Sequence, residues 1–404
     1  MQTFYTVMNI LIVSSRYFPE VGAAPVRIAN MAGGLKKMGH SVDVLTCLPN
    51  HPENRIYEGY RHCISRKEVI DGINVFRYWT YASVSFNAFQ RAVSMFAFAV
   101  TLWLFAFKVK RIKKYDYVIL QTPPLVSAVS ALRLFKGIYR KKIILNVSDL
   151  WPLTGVALGA MREGQLSYRY MAHLENVLYR ESDGIIGQSD EILDYIKKRY
   201  PGKEYFLYRN LQPLSGNVGH RESGRHKPLK IVYAGMFGTA QDILSLVSRV
   251  DYEKLGTELH LYGGGGQLDD IKEFISEGHN CVTYHGFVSK EEMSKALREY
   301  DLSVITLSIG IYGAVPSKLF DSLPAGVPVL FCGGNEGARL VEEYGLGMIS
   351  APGDYGQLSD NIRSFVSMTD EDYSAYVSRC LNTAANEFSF DVQMCRLNDL
   401  LSHF

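Results

Sequence analysis

The sequence lacks several features that would have fixed its class at once. Its six cysteines, Cys47, Cys63, Cys281, Cys332, Cys380 and Cys395, form no C-x-x-C pair. That excludes a zinc ribbon and fits reduced, mostly buried thiols better than a disulfide framework. Charge of one sign is missing too: 43 basic against 41 acidic residues leave a formal net charge of +2. No overall positive field points to nucleic acid as a partner. The ten histidines make no H-E-x-x-H or other metal-binding spacing, so no metal and no cofactor are expected. No G-x-S-x-G elbow occurs, and the first β–α turn carries no G-x-G-x-x-G dinucleotide fingerprint. The apolar run Ile10–Val13 is too short for a secretory signal.

What is present is the composition of a globular protein. In 404 residues, 47% are hydrophobic and 21% charged, which allows two or three domains with full cores. Asn9 to Ser14 reads as a buried parallel strand. After a loop with Pro19 and Gly22, Ile28, Met31, Ala32, Leu35 and Met38 repeat at helical spacing until Gly39. Ser41 to Thr46 supplies the next strand. This β–loop–α–β unit opens a doubly wound fold. Further strands are predicted at Tyr117–Leu120, Lys142–Val147 and Gly184–Gly187. The stretch from Tyr208 to His226, with Asn210, Pro213, Gly216 and Gly219, reads as a linker. The pattern then restarts with strands at Lys230–Ala234, Glu258–Tyr262, Val282–Tyr284, Leu302–Thr306 and Val327–Phe331. Two Rossmann-like domains in tandem are therefore expected, over 1–209 and 210–388. The closing segment 389–404 is expected to be a helix that packs back on the first domain.

One segment departs from this pattern. Ala92 to Phe107 is 16 uncharged residues long and is followed by Lys108, Lys110, Arg111, Lys113 and Lys114. A spanning helix needs about 20 apolar residues, so this one falls short. It reads either as a buried core helix or as an interfacial helix held on a membrane by its basic tail, with 92–114 the membrane-associating stretch.

Several residue groups can carry chemistry. In the loop around Gly22, small residues let a ligand approach the first helix, and Arg27 in its first turn suits an anion in front; a plain turn with a surface arginine is the alternative. Gly235 and Gly238 follow the first strand of the second half, and Gly264 lies in a run of four glycines after the second. Such runs mark φ > 0 or close contact with a ligand, unless they form a flexible loop. Pro316-Ser317-Lys318 opens a helix, where a lysine offers a point charge to a diphosphate. Asp321, one turn on, can accept hydrogen bonds from ribose hydroxyls, or simply pair with the lysine. Asp149 ends a buried strand beside Trp151, which makes it a base or acceptor-hydroxyl orienter and Trp151 a flat face for a sugar; a helix cap with a core tryptophan is the alternative. Pro123 and Pro124 end another strand of the same sheet.

With these residues in view, the sequence resembles the GT-B glycosyltransferases of family 4. Within them it looks like the bacterial O-antigen and capsule branch that includes L-fucosamine transferases. The likeness rests on Pro19-Glu20-x-Gly22, Gly39-His40, Pro123-Pro124 and Asp149-Leu150-Trp151-Pro152. In the second half it rests on Tyr233-Ala234-Gly235-x-x-Gly238-x-Ala240-Gln241, His285-Gly286, and Pro316-Ser317-Lys318 through Gly326-x-Pro328-Val329. The resemblance implies an α/β GT-B architecture, two Rossmann-like domains facing an interdomain cleft, and metal-independent transfer with retention. Asp149 and Lys318 would be catalytic. Gly22, Arg27, Gly235, Gly238, Gln241, Gly264, Pro316, Ser317 and Asp321 would bind the nucleotide-sugar donor, UDP-linked by preference. Pro123, Pro124 and Trp151 would bind the acceptor, a saccharide on a lipid carrier. The place of action implied is the cytoplasmic face of the bacterial inner membrane, with peripheral or monotopic attachment. The family's pair of glutamates eight positions apart falls here on Gly313 and Asp321, and its usual Arg and Lys fall on Met236 and Gln241. Lys318 is thereby left with more of the diphosphate's charge. A nucleotide-sugar 2-epimerase of the same fold, or a non-catalytic membrane-docked assembly subunit, are the other readings.

Overall fold

The computed structural model describes residues 7–51, 53–83, 88–107, 109–213 and 224–404. It divides into two compact units, Met1–Asn210 with Asp391–Phe404, and Leu211–Phe390. Much of the expected linker, 214–223, lies outside the described residues.

The first unit is built on eight strands: β1 (Asn9–Val13), β2 (Ser41–Cys47), β3 (Ser65–Ile70), β4 (Ile73–Tyr78), β5 (Tyr117–Thr122), β6 (Lys142–Val147), β7 (Gly184–Gly187) and β8 (Glu204–Leu207). Their order is β3-β4-β2-β1-β5-β6-β7-β8, parallel throughout except for the edge pair β3–β4. The central strands are apolar on both faces because helices cover both. Ile10, Leu11 and Ile12, like Ile143, Ile144 and Leu145, are fully buried. Strand order reverses between β1 and β5, so the carboxyl edge there is where such sheets hold ligands.

The second unit repeats the plan with β9 (Leu229–Met236), β10 (Thr257–Gly264), β11 (Val282–Gly286), β12 (Leu302–Thr306), β13 (Val329–Cys332) and β14 (Gly347–Ser350), in the order β11-β10-β9-β12-β13-β14. All five pairings are parallel. Its reversal falls between β9 and β12. Strands β3, β4, β8 and β14 were not evident in the sequence.

The C-terminal helix Phe390–His403 lies with the first unit from Asp391 on. Gln393 exchanges hydrogen bonds with the backbone of Arg209, and His40 Nε2 meets Asn398 Oδ1 at 2.6 Å. Gly34, in the helix Ala23–Lys37, lets Met394 close in: a Cβ there would lie 2.7 Å from its Cε.

The segment expected to be either core or interfacial is partly buried and partly exposed. It forms a helix Ala88–Thr101 and a 3-10 stretch Leu102–Phe107. Phe98, Ala99, Leu102 and Phe105 enter the core with Phe76, Leu120 and Phe135, whereas Phe96, Val100, Trp103, Leu104 and Phe107 are exposed. Among the described residues no helix is long and apolar enough to cross a membrane.

Overpacking a closed contact costs about 1–3 kcal/mol. Gly34→Leu is therefore expected to lower the Tm of the first unit in thermal unfolding, and adding Met394→Ala is expected to recover part of the loss. An unchanged Tm for Gly34→Leu would contradict this docking of the C-terminal helix.

Candidate functional site

In the second unit the candidate residues gather at the strand-order reversal. The last residue but one of β9 is Gly235, whose φ of 146° is open to glycine. The missing side chain matters: a Cβ would collide with Lys318 Cε and lie 2.5 Å from its Nζ. Lys318 sits in the first turn of the helix Ser317–Ser322, after Pro316 at its N-cap. Its Nζ stands 3.6 Å from the ring centroid of Tyr233, a cation–π contact. Tyr233 is fully buried, and its hydroxyl donates to Met236 O at 2.7 Å, which fixes the ring. Burial pulls the Lys318 pKa down to about 7, against the attraction of Asp321.

Asp321 forms its ion pair elsewhere. Lys290 Nζ lies 3.9 Å from its Oδ1. Burial raises the Asp321 pKa, opposed by Lys290 and Lys318 together. Burial also lowers the Lys290 pKa, opposed by Asp321. Lys290 opens the helix Lys290–Ala296, held by a capping box from Ser289 and Glu292. No motif marked this lysine, and only the fold brings it beside a residue 31 positions away.

The loops that frame Lys318 are tied to one another. Thr306 Oγ1 donates to Gln241 O at 2.6 Å, and Ser308 N to Ala240 O at 2.8 Å. Phe237 N donates to Gly264 O at 2.9 Å. Gly238 leaves room for Gln241, whose Oε1 would stand 2.8 Å from a Cβ there, and Gly264 does the same for the exposed ring of Phe287 at 2.7 Å. Gly235, Gly238, Gln241, Gly264, Pro316, Ser317, Lys318 and Asp321 thus belong to one carboxyl edge.

The remaining candidates belong to the first unit. Arg27 is not a surface arginine. It is buried, with Nη1 donating to Tyr208 O at 2.6 Å and Asn210 Oδ1 at 2.7 Å, and Nη2 to Asn146 Oδ1 at 2.8 Å. The chain of bonds continues from Asn146 Nδ2 to Gln121 Oε1, from Gln121 Nε2 to Ser148 Oγ, and from Asn210 Nδ2 to Gln188 Oε1. It runs across the ends of β5, β6, β7 and β8. Burial lowers the Arg27 pKa to about 10, so the group stays charged. Asp149 stands just past β6. Burial pushes its pKa up to about 6, while Arg27 and a hydrogen bond from Ser148 pull it down. It is not a helix cap: the next helix, Leu153–Ala157, has Pro152 in that place. Arg27 Nε, Thr122 Oγ1 and Thr154 Oγ1 are buried without a hydrogen-bond partner, so this edge carries more polar valence than the protein satisfies.

Trp151 is half in the core, its ring 3.1 Å from where Gly155 would carry a Cβ. Pro123 and Pro124 close β5, with Pro124 capping the helix Leu125–Leu132. Gly22 has φ 127° and faces His51 Nε2. Glu20 explains the Pro-Glu motif. Its buried carboxylate accepts from Arg16 Nη1 at 2.8 Å, Tyr17 N at 3.2 Å, and Asn50 N and His51 N at 2.9 Å, which joins the loops after β1 and β2. Among the described residues, no three His, Cys, Asp or Glu side chains converge as a metal-binding group.

Residues 22–204 match the family described as Glycosyl transferase 4-like domain, and residues 228–368 match Glycosyl transferases group 1. Sequence comparison with curated proteins finds no match. Among solved structures, Anabaena Alr3699/HepE in complex with UDP is similar over 98% of this chain and 100% of its own, with a TM-score of 0.69 at 14% identity. WaaG, a glycosyltransferase involved in lipopolysaccharide biosynthesis, is similar over 97% and 99%, with a TM-score of 0.63 at 13% identity. The pneumococcal O-GlcNAc transferase GtfA, in complex with UDP and GlcNAc, is similar over 99% of both chains, with a TM-score of 0.65 at 12% identity. At these identities the likeness speaks for the fold, which is GT-B. With one glycosyltransferase domain matched in each unit, the chain belongs to the GT-B glycosyltransferases.

The Lys318 amine titrates near 7 in the folded chain against the ordinary 10.5. Across that window the folded state binds fewer protons than the unfolded one, so stability from this group rises with pH. Lys318→Met removes the group. Its Tm relative to the parent is expected to be highest at or below pH 7 and to lose that advantage toward pH 10. A difference that does not vary with pH would show that the amine is not desolvated.

Proposed function

We propose that the chain transfers a sugar, with retention, from a nucleotide-diphosphate sugar to a saccharide on an undecaprenyl-diphosphate carrier during O-antigen or capsule assembly. UDP is the favoured nucleotide, and an N-acetylated deoxyhexosamine such as L-FucNAc is the sugar that the family likeness favours. The observation that carries this reading is the Lys318 amine, held over Tyr233 in the space that Gly235 leaves open. A desolvated cation placed at a carboxyl sheet edge is suited to a diphosphate, whose negative charge grows as it departs. Two of the similar structures hold UDP, and WaaG acts in lipopolysaccharide biosynthesis.

In the proposed reaction the bond from the anomeric carbon to the diphosphate breaks and one to the acceptor oxygen forms. Lys318 and the backbone donors around Ser317 offset the charge left on the diphosphate, in place of a divalent metal. Asp321 receives the ribose hydroxyls, with Lys290 holding its carboxylate ionised. Asp149, a carboxylate at neutral pH, orients the acceptor hydroxyl and takes up its proton. Arg27 holds Asp149 in its charged form and the strand ends in register. The exposed apolar residues Phe96, Val100, Trp103 and Phe107, with exposed Lys110 and Lys113 beyond them, support attachment to the cytoplasmic face of the inner membrane, where the carrier lies.

The test is incubation of labelled UDP-sugars with lipid-linked saccharides extracted from bacterial membranes. Label is expected in lipid only when both are present. Lys318→Ala is expected to lower turnover by about 10²-fold or more with an unchanged circular dichroism spectrum. Parent-like turnover in that variant, or an epimerised nucleotide-sugar formed without acceptor, would overturn the proposal. The pH profile offers a separate check. Transfer by the parent protein should decline as pH falls through about 6, where Asp149 takes up a proton. Asp149→Asn should be slow and lack that limb; a parent-like acid limb in the variant would acquit the residue.

A further inference from the structure

Three helices of the first unit, Ala88–Thr101 with its 3-10 continuation, Leu125–Leu132 and Leu166–Glu181, enclose an apolar groove of about 480 Å³. Phe96, Val100 and Trp103 line one side, Val129 the base, and Tyr170 and Leu174 the other side. Trp103 and Ser130 satisfy their polar atoms internally: Trp103 Nε1 donates to Ser130 Oγ at 2.8 Å, and Ser130 Oγ to Ala99 O at 2.5 Å. The lining therefore offers mainly hydrocarbon contact, with the Tyr170 hydroxyl as a polar group at its rim. Val100, within the lining, is 68% exposed, and the same helical elements carry Leu166 at 82% and Phe107 at 83% exposed at their ends. Exposed apolar residues gathered at an apolar groove suit a docking surface.

The segment that forms one wall of the groove is basic. Between Asp71 and Asp116 the chain has no acidic residue, and Lys110 and Lys113 are exposed just past Phe107, Lys114 being paired with Asp43. Basic residues beside an apolar surface complement an anionic bilayer. We propose that the groove takes one acyl chain of an anionic phospholipid, drawn up from the bilayer between Trp103 and Tyr170. This deepens the membrane attachment proposed above and rests on it. Helix Leu125–Leu132 is capped by Pro124, two residues past the end of β5, and Val129 in the groove is about 8 Å along the helix axis from that cap. A chain seated there fixes how far that strand edge stands from the lipid.

The probe is a vesicle of equal parts phosphatidylglycerol and phosphatidylcholine, with bromine on the acyl chains. The chain has three tryptophans, so Trp79→Phe with Trp151→Phe leaves Trp103 as the reporter. Co-sedimentation with the vesicles reads attachment, and quenching of Trp103 reads occupation of the groove. Expected are sedimentation that weakens with salt and a loss of half or more of the Trp103 emission. Val129→Phe, which fills the groove, should still sediment but lose most of the quenching at unchanged Tm; Val100→Asp should lose quenching as well. Sedimentation without quenching would overturn the groove and leave membrane attachment standing. Failure to sediment would overturn both. Self-association by light scattering, abolished by Val100→Asp and unaffected by vesicles, would assign the groove to a second copy of the chain and overturn the proposal.

Discussion

A lysine amine held against an aromatic face, in a space that only glycine leaves open, is the contact around which the second unit's candidate site is built. Lys318, Tyr233 and Gly235 come from β9 and from the helix after β12. They meet because strand order reverses between those two strands, which separates the following loops and leaves a place between them. Desolvation makes the amine a poor cation when alone and a strong one beside an anion, so the site is set to respond to a ligand's charge. Asp321 and Lys290 extend the same electrostatics along the helix face. The family's Arg and Lys positions are Met236 and Gln241 here. Lys290 brings a second positive charge to Asp321 from the start of another helix.

The first unit solves a different problem. A fully buried guanidinium is tolerable only when its donors are used. Arg27 meets most of that demand through Nη1 and Nη2, which bridge Tyr208, Asn146 and Asn210, while its Nε has no partner. The bridge joins strand ends far apart in sequence and leaves a partly protected carboxylate, Asp149, at their edge. The Leu125–Leu132 helix starts from the same edge and runs outward to the apolar groove, so one element relates the polar edge to the greasy surface.

Much of this was legible in the sequence, for identifiable reasons. Short apolar runs revealed the central strands, because a parallel sheet buried on both faces admits little else. Two such sets in tandem predict two Rossmann-like domains, and the GT-B architecture that the family resemblance implies is met. Edge strands escaped notice: β3, Ser-Arg-Lys-Glu-Val-Ile, is mostly exposed, and β8 and β14 are four residues each. Pro316-Ser317-Lys318 could be placed at a helix start because proline and position fix it locally. The partners of Arg27 could not, since Asn146 and Tyr208 are 119 and 181 positions away. Lys290 carried no local signal either. The segment Ala92–Phe107 resisted a single assignment because it is apolar all round. Half of it faces a core and half faces outward, and only the neighbouring helices reveal which half is which.

The central claim is that burial holds the Lys318 amine near neutrality until a diphosphate arrives. Titration of its side-chain nitrogen by ¹⁵N NMR, assigned with Lys318→Arg, measures this directly. The account predicts a midpoint near pH 7 for the free protein and a rise well above it when a UDP-sugar is added. A midpoint at the ordinary lysine value, or one that the nucleotide leaves unmoved, would contradict it.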